Sequence, residues 1–144
     1  MTGKVRILLI AVATLVISGV AITKWLDFRQ ARDIGVINDM LAAADVKKGR
    51  EIAHECEVCH GLEAGAVNRI GPNLFGIVGA KIARDPAFEY SYALRQKQGT
   101  WTIDHLDEWL KNPASFVPEN KMIFSGLLDP QDRMDLIAYL MTLK

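Results

Sequence analysis

Two cysteines three positions apart, with a histidine directly behind the second, form the run Cys56-Glu57-Val58-Cys59-His60. Thiols at that spacing can each add to a vinyl group along one edge of a porphyrin. The adjoining imidazole then falls beneath the metal, so a C-x-x-C-H run reads as the attachment signal of a c-type haem. Other uses of the pair fit less well. A thioredoxin-like redox pair belongs in a βαβ context, and the flanks here read as helical. A zinc centre needs four converging ligands, and no fourth donor is spaced for it. The chain has two cysteines in all, too few for a disulfide scaffold or a four-thiolate site.

The elements that must carry these residues are helices. Asp45 is placed to cap a helix that runs into Cys56, with Gly49 allowing another helix to come close. Thr102 can cap a second helix whose Ile103, Leu106 and Leu110 share one face, and Pro113 stops it. Asp129-Pro130 opens a third, with proline at the first helical position and Leu136, Tyr139, Leu140 and Leu143 as its packing stripe. No convincing strand alternation appears, so the expected fold class is all-α. His54 and His105 fall on predicted helices among charged residues and read as solvated side chains rather than ligands.

Further motifs follow in order: Ile70-Gly71-Pro72-Asn73-Leu74-Phe75-Gly76, Asn112-Pro113, Val117 to Phe124, and a closing Asp135-Leu136-Ile137-Ala138-Tyr139-Leu140. Together with Cys56–His60 they resemble class I cytochrome c, in its mitochondrial and bacterial c2-like branch, over residues 45–144. With the amino-terminal segment described below, the whole is similar to bacterial membrane-anchored cytochromes of the cy or c552 type. The resemblance implies one covalent haem c, with thioethers to Cys56 and Cys59 and axial iron ligands His60 and Met122. Met122 sits in a stretch stiffened by Pro113 and Pro118 and lacks helical periodicity, whereas Met134 and Met141 read as core filler. The resemblance further implies that the Pro72 carbonyl fixes the His60 tautomer and that Tyr90 and Trp101 bond a haem propionate. By the same resemblance, Asn120 would lie near the propionate or the methionine sulfur, and Trp109 and Phe124 would pack on the methionine side. With both axial positions filled, an electron-transfer protein is expected rather than an enzyme.

Some positions depart from that pattern. Glu55 and Ala114-Ser115 stand where bases are common, Ala80 replaces a frequent arginine, Leu94 a polar residue, and Ala53 an aromatic. These changes leave haem attachment intact, but they argue against assuming a lysine ring for docking or a potential carried over from the family.

The chain of 144 residues balances 17 Lys plus Arg against 17 Asp plus Glu. That balance argues against a nucleic-acid partner. It hides a division, however. Residues 1–40 carry five bases and three acids, and residues 41–144 carry twelve bases and fourteen acids. Residues 7–23 are uncharged and rich in Ile, Leu, Val and Ala, with Trp25 just beyond. At ~1.5 Å per residue this run spans roughly 25 Å as a helix, near the lower limit for a bilayer. A cleavable signal is the alternative, since Gly19-Val20-Ala21 resembles a cleavage site.

The expected organisation is a transmembrane anchor over 1–26, a connector over 27–44 and a haem domain over 45–144. By resemblance, the domain faces the periplasm from a bacterial inner membrane. Expected partners are membrane lipid, a cytochrome bc1-type reductase as donor, and a haem–copper oxidase or photosynthetic reaction centre as acceptor. No small-molecule substrate is expected. The rival expectation is a fixed electron-entry subunit of a membrane oxidoreductase.

Overall fold

The structure, a computed structural model, describes residues 22–27, 29 and 35–144. Contacts divide the chain into two units after Val36. In the first, residues 22–27 are helical and exposed, and the Arg29 guanidinium lies 4.8 Å from the Trp25 ring centroid. The apolar run at 7–23 falls outside the described residues except for Ile22 and Thr23. Among the described residues no helix is long and apolar enough to cross a membrane.

The second unit is helical. It contains α1 (Val46–Glu57), α2 (Tyr92–Gln96), α3 (Ile103–Lys111), α4 (Pro113–Phe116) and α5 (Pro130–Thr142). Its one isolated bridge pairs Lys81 with Thr100, and no strand forms among the described residues. The expected caps are made. Asp45 accepts from the N–H groups of Lys47 and Lys48, Thr102 from His105, and Asp129 from Gln131 and Asp132. Each such cap is worth about 1 kcal/mol.

Helices α1 and α5 pack directly on each other, and Gly49 permits their contact: a Cβ there would sit 1.9 Å from the Asp135 carbonyl oxygen. Ala53, Met134, Leu136, Ile137 and Leu140 are buried in the shared core. The small Ala53 is therefore a true core position, and Met134 is core filler as expected.

Two short helices, α2 and α4, were not apparent in the sequence. Asn112 ends α3 and also caps α4, accepting from Ser115 N–H at 3.0 Å, with Pro113 as the first residue of α4. The stretch before Met122 thus begins as a helical turn rather than a loop. Residues 35–42 are also helical. Ile37, Met40 and Leu41 pack against the core, and Gln131 Nε2 donates to the Met40 carbonyl at 3.2 Å. The compact unit accordingly runs from Ile37, so the second half of the expected connector belongs to the folded body.

Asp135 is a buried carboxylate on the core helix. Its Oδ1 accepts from the Asp45 N–H at 3.0 Å and from Gln131 Nε2 at 2.9 Å, and Lys48 Nζ lies 3.4 Å from Oδ2. Burial pushes its pKa up, but these donors and the lysine more than offset that and hold it below the usual carboxylate range. With the folded-state pKa depressed, the stabilisation is complete above the unfolded value of about 3.9 and is lost as pH falls through the folded value. Denaturant titrations in that acid range should therefore show a shallower loss of stability for Asp135→Asn than for the native chain. Equal pH slopes would reject this role.

Candidate haem site

Cys56 lies in the last turn of α1, and the chain continues in a tight turn in which the N–H groups of Cys59 and His60 both donate to the Cys56 carbonyl, at 3.0 and 2.9 Å. Both thiols are free and partly buried. Burial, reinforced by Glu55 and Glu57, raises the Cys56 pKa to about 11. A redox-active C-x-x-C pair depends on a lowered thiol pKa, so this environment opposes that use.

His60 is braced on two sides. Its Nδ1 donates to the Pro72 carbonyl at 2.6 Å, as the resemblance implied, which leaves Nε2 as the nitrogen with a free lone pair. Gly71 lies flat against the ring: a Cβ would come within 2.3 Å of Cε1 and 2.6 Å of both nitrogens. Gly71 N–H donates to the Cys59 carbonyl at 2.8 Å and closes the loop around the histidine. Burial lowers the His60 pKa, and the Pro72 carbonyl pulls it up less, so the neutral, ligating form is favoured.

The turn after Pro72 is held by side chains that sequence reasoning missed. Asn73 Nδ2 donates to the Glu63 and Ala66 carbonyls at 2.9 and 3.0 Å. Arg84 donates to three carbonyls of the same turn, Gly76 at 2.6 Å, Asn73 at 3.2 Å and Phe75. A guanidinium with its planar fork of donors suits such a cluster.

Met122 is half-buried, and its N–H donates to Asn120 Oδ1 at 2.9 Å. Asn120 Nδ2 donates to the Val117 carbonyl at 2.9 Å. Asn120 thus spans the backbone on both sides of itself, because a carboxamide offers a donor and an acceptor together. Trp101 and Trp109 are buried, with ring centroids 5.4 Å apart, and Phe116 of α4 joins them at 6.1 and 6.2 Å. Tyr90 is buried, and its hydroxyl accepts from the Asp85 N–H at 3.4 Å. Phe124, Leu74, Val78 and Leu94 are partly buried against the same core.

The histidines divide. His54 is exposed and pairs with Glu57 at 2.9 Å. His105 is not simply solvated as expected. Its ring is half-buried, Nδ1 donates to the Thr100 carbonyl at 2.6 Å, and it lies 5.6 Å from Phe116. Thr100, two positions before the α3 cap, turns its carbonyl toward the ring.

The donor set suits a covalent haem: two free thiols, a braced neutral imidazole with Nε2 to spare, a thioether, and apolar side chains on a common core. A helical body that carries a C-x-x-C-H run with its histidine braced in this way has the features of a c-type haem protein. The family model for cytochrome c matches residues 46–144. A cytochrome c homolog of Bradyrhizobium diazoefficiens is 43% identical over 108 residues, 74% of this chain and 59% of that protein. The chain thus covers less than two thirds of that relative. Cytochrome c2 of Rhodomicrobium vannielii is 42% identical over 101 residues, 70% of this chain and 81% of that protein. The solved structure of cytochrome cH from Methylobacterium extorquens matches with a TM-score of 0.64 at 38% identity, covering 69% of this chain and 99% of that one. The chain belongs to the cytochrome c family. Members bind one covalent haem c and are electron-transfer proteins rather than enzymes.

Proposed function

We propose that this protein is a membrane-tethered, single-haem electron carrier in which Cys56 and Cys59 form the thioethers and His60 and Met122 are the axial ligands. The observation that supports this most directly is the setting of His60. Pro72 fixes its tautomer and Gly71 its ring plane, leaving Nε2 to bind iron. Bound haem supplies a one-electron couple. The protein's part is to hold the ligands, exclude water and keep the site rigid between oxidation states. Met122, as a soft neutral ligand, raises the potential. Trp109 and Phe124 would shield the bound haem beside Met122, and Tyr90 and Trp101 would offer hydrogen bonds to a propionate.

Residues 1–26 anchor the chain in the inner membrane of a bacterium with the haem domain on the periplasmic side. Its donor is a cytochrome bc1-type reductase, and its acceptor is a haem–copper oxidase or photosynthetic reaction centre. One observation favours the second reading, a fixed electron-entry subunit. With residues 37–44 docked on the body, residues 27–36 are the chain left between anchor and body, spanning at most about 35 Å.

We expect the protein to stay with membranes through a high-salt wash, to carry a covalent haem by intact mass, and to migrate alone in detergent. Release with a mature start near Ile22 would reject the anchor. Stoichiometric co-purification with a catalytic subunit would replace the mobile carrier by the fixed one.

A further inference from the structure

The segment bearing Met122 is fastened at both ends, by different means. At the near end Asn120 makes two neutral hydrogen bonds, to Val117 and Met122. At the far end Gly126 adopts φ +97° and passes so close to α3 that a Cβ would lie 2.1 Å from the Lys111 carbonyl oxygen. Leu127 N–H then donates to the Leu110 carbonyl at 2.8 Å. Arg133 of α5 closes this end. Its Nη1 donates to the Leu127 and Leu128 carbonyls at 2.8 and 3.0 Å, and its Nε donates to Asp107 Oδ1 of α3 at 2.6 Å.

Arg133 is only 5% exposed, and the Asp107 side chain is also largely covered. A buried cation must be fully bonded, and charge-assisted bonds are the stronger kind. Helices α3 and α5 already pack on each other, so the ion pair is not needed to join them. What it adds is a grip on two backbone carbonyls. Ile123 and Leu128, within and just past the segment, are almost fully exposed. Apolar packing at those two positions therefore does little to hold the segment down. Phe124 and Leu127 give the segment partial apolar contact with the core, so the polar fastenings supplement that contact, and loosening either one lets Met122 leave its place more often.

We propose that Arg133, held in place by Asp107, is a positioning residue for the sixth iron ligand, setting how often Met122 leaves its place. The proposal rests on the reading of Met122 as an axial ligand. Lysine at 133 would keep the charge but lacks the planar fork that reaches Asp107 and two carbonyls together.

The test uses full-length, haem-loaded ferric protein and follows the rate of cyanide binding and the far-red absorption band of thioether-bound ferric haem. Arg133→Lys and the isosteric Asp107→Asn are expected to bind cyanide about tenfold faster, the scale of one charge-assisted hydrogen bond, with a weakened band. Ile137→Val, a buried core change in α5 that leaves the Arg133 and Asp107 bonds intact, should lower melting temperature and leave the cyanide rate at the native level. Native rates in both Arg133→Lys and Asp107→Asn, or equal acceleration in Ile137→Val, would overturn the proposal. Should Arg133→Lys fail to fold, Asp107→Asn decides alone. A native protein that lacks the band and matches Met122→Ala spectrally would instead overturn the ligand reading itself.

Discussion

Replacing Met122 with alanine is expected to lower the midpoint potential and open the iron to added ligands. A thioether is soft and uncharged and therefore favours the reduced metal; without it, water or an external donor takes the position and stabilises the oxidised form. Axial-ligand sets move haem potentials across roughly 0.8 V, so the loss should amount to about 0.2 V. Potentiometric titration measures it, and binding of carbon monoxide by the reduced protein reports the open position. Met134 is the natural control. It is buried in α5, with 1% of its surface exposed, and away from the site in sequence. Met134→Leu is a volume-conserving change costing less than about 1.5 kcal/mol, and it should leave the potential where it was. An unchanged potential in Met122→Ala would reject the ligand assignment and with it the closed, six-coordinate site.

The charge division along the chain bears on how such a site meets its partners. The balanced 17 against 17 sums a mildly basic first 40 residues and an acidic remainder. Glu55 stands before the Cys56–His60 run and the uncharged Ala114 and Ser115 follow Asn112-Pro113, while Val58 and Ile70, beside Cys59 and Gly71, are exposed. The proposed anchor over residues 1–26 would confine the body to the plane of its partners and so lower the need for long-range steering. Weak dependence of electron transfer on ionic strength is the expected consequence for the tethered form. Removing residues 1–26 should slow the reaction without restoring a strong salt dependence.

What could be read in advance was what depends on neighbours in sequence. The Cys56–His60 run is complete in five residues, and the caps at Asp45, Thr102 and Asp129 satisfy N–H groups two or three positions on. Gly49 was legible because a glycine inside an amphipathic helix invites a close neighbour. Helix α2 was not, since five residues are too few to show a period, although Ser91 caps it by accepting from Leu94 N–H at 3.1 Å. Helix α4 was hidden because a proline after a helix reads as a stop, and Pro113 is also a start. The remaining misses are non-local. Asp135 meets Asp45 across 90 positions and Arg133 meets Asp107 across 26. Arg84 reaches back to carbonyls eight to eleven positions earlier, a bond with no sequence signature. Each is a charged residue that looks like ordinary surface until the helices are packed.

Gly49→Ala is expected to destabilise the folded body by about 3 kcal/mol or more, at the upper end of overpacking penalties. Two effects oppose each other. Inside a helix, alanine is favoured over glycine by about 1 kcal/mol, because it restricts the unfolded chain and covers the backbone. Against this, the new Cβ would lie 1.9 Å from the Asp135 carbonyl oxygen, 2.5 Å from its carbon and 3.0 Å from Tyr139 Cβ. The first two are backbone atoms of α5 and cannot rotate away, so the helices must separate. Separation weakens the contact over Ala53, Leu136 and Ile137 and also pulls Asp45 N–H and Lys48 from the Asp135 carboxylate. The clash therefore outweighs the propensity gain. Denaturant unfolding should show a lower midpoint for Gly49→Ala. Gly35, where a Cβ would meet nothing within 4 Å, provides the comparison in which alanine is neutral or mildly stabilising. Thermodynamic coupling sharpens the point. In a double-mutant cycle with Asp135→Asn, the two losses should be less than additive, since separated helices have already given up the bonds to Asp135. Full additivity would mean that α1 and α5 absorb the methyl group without moving apart.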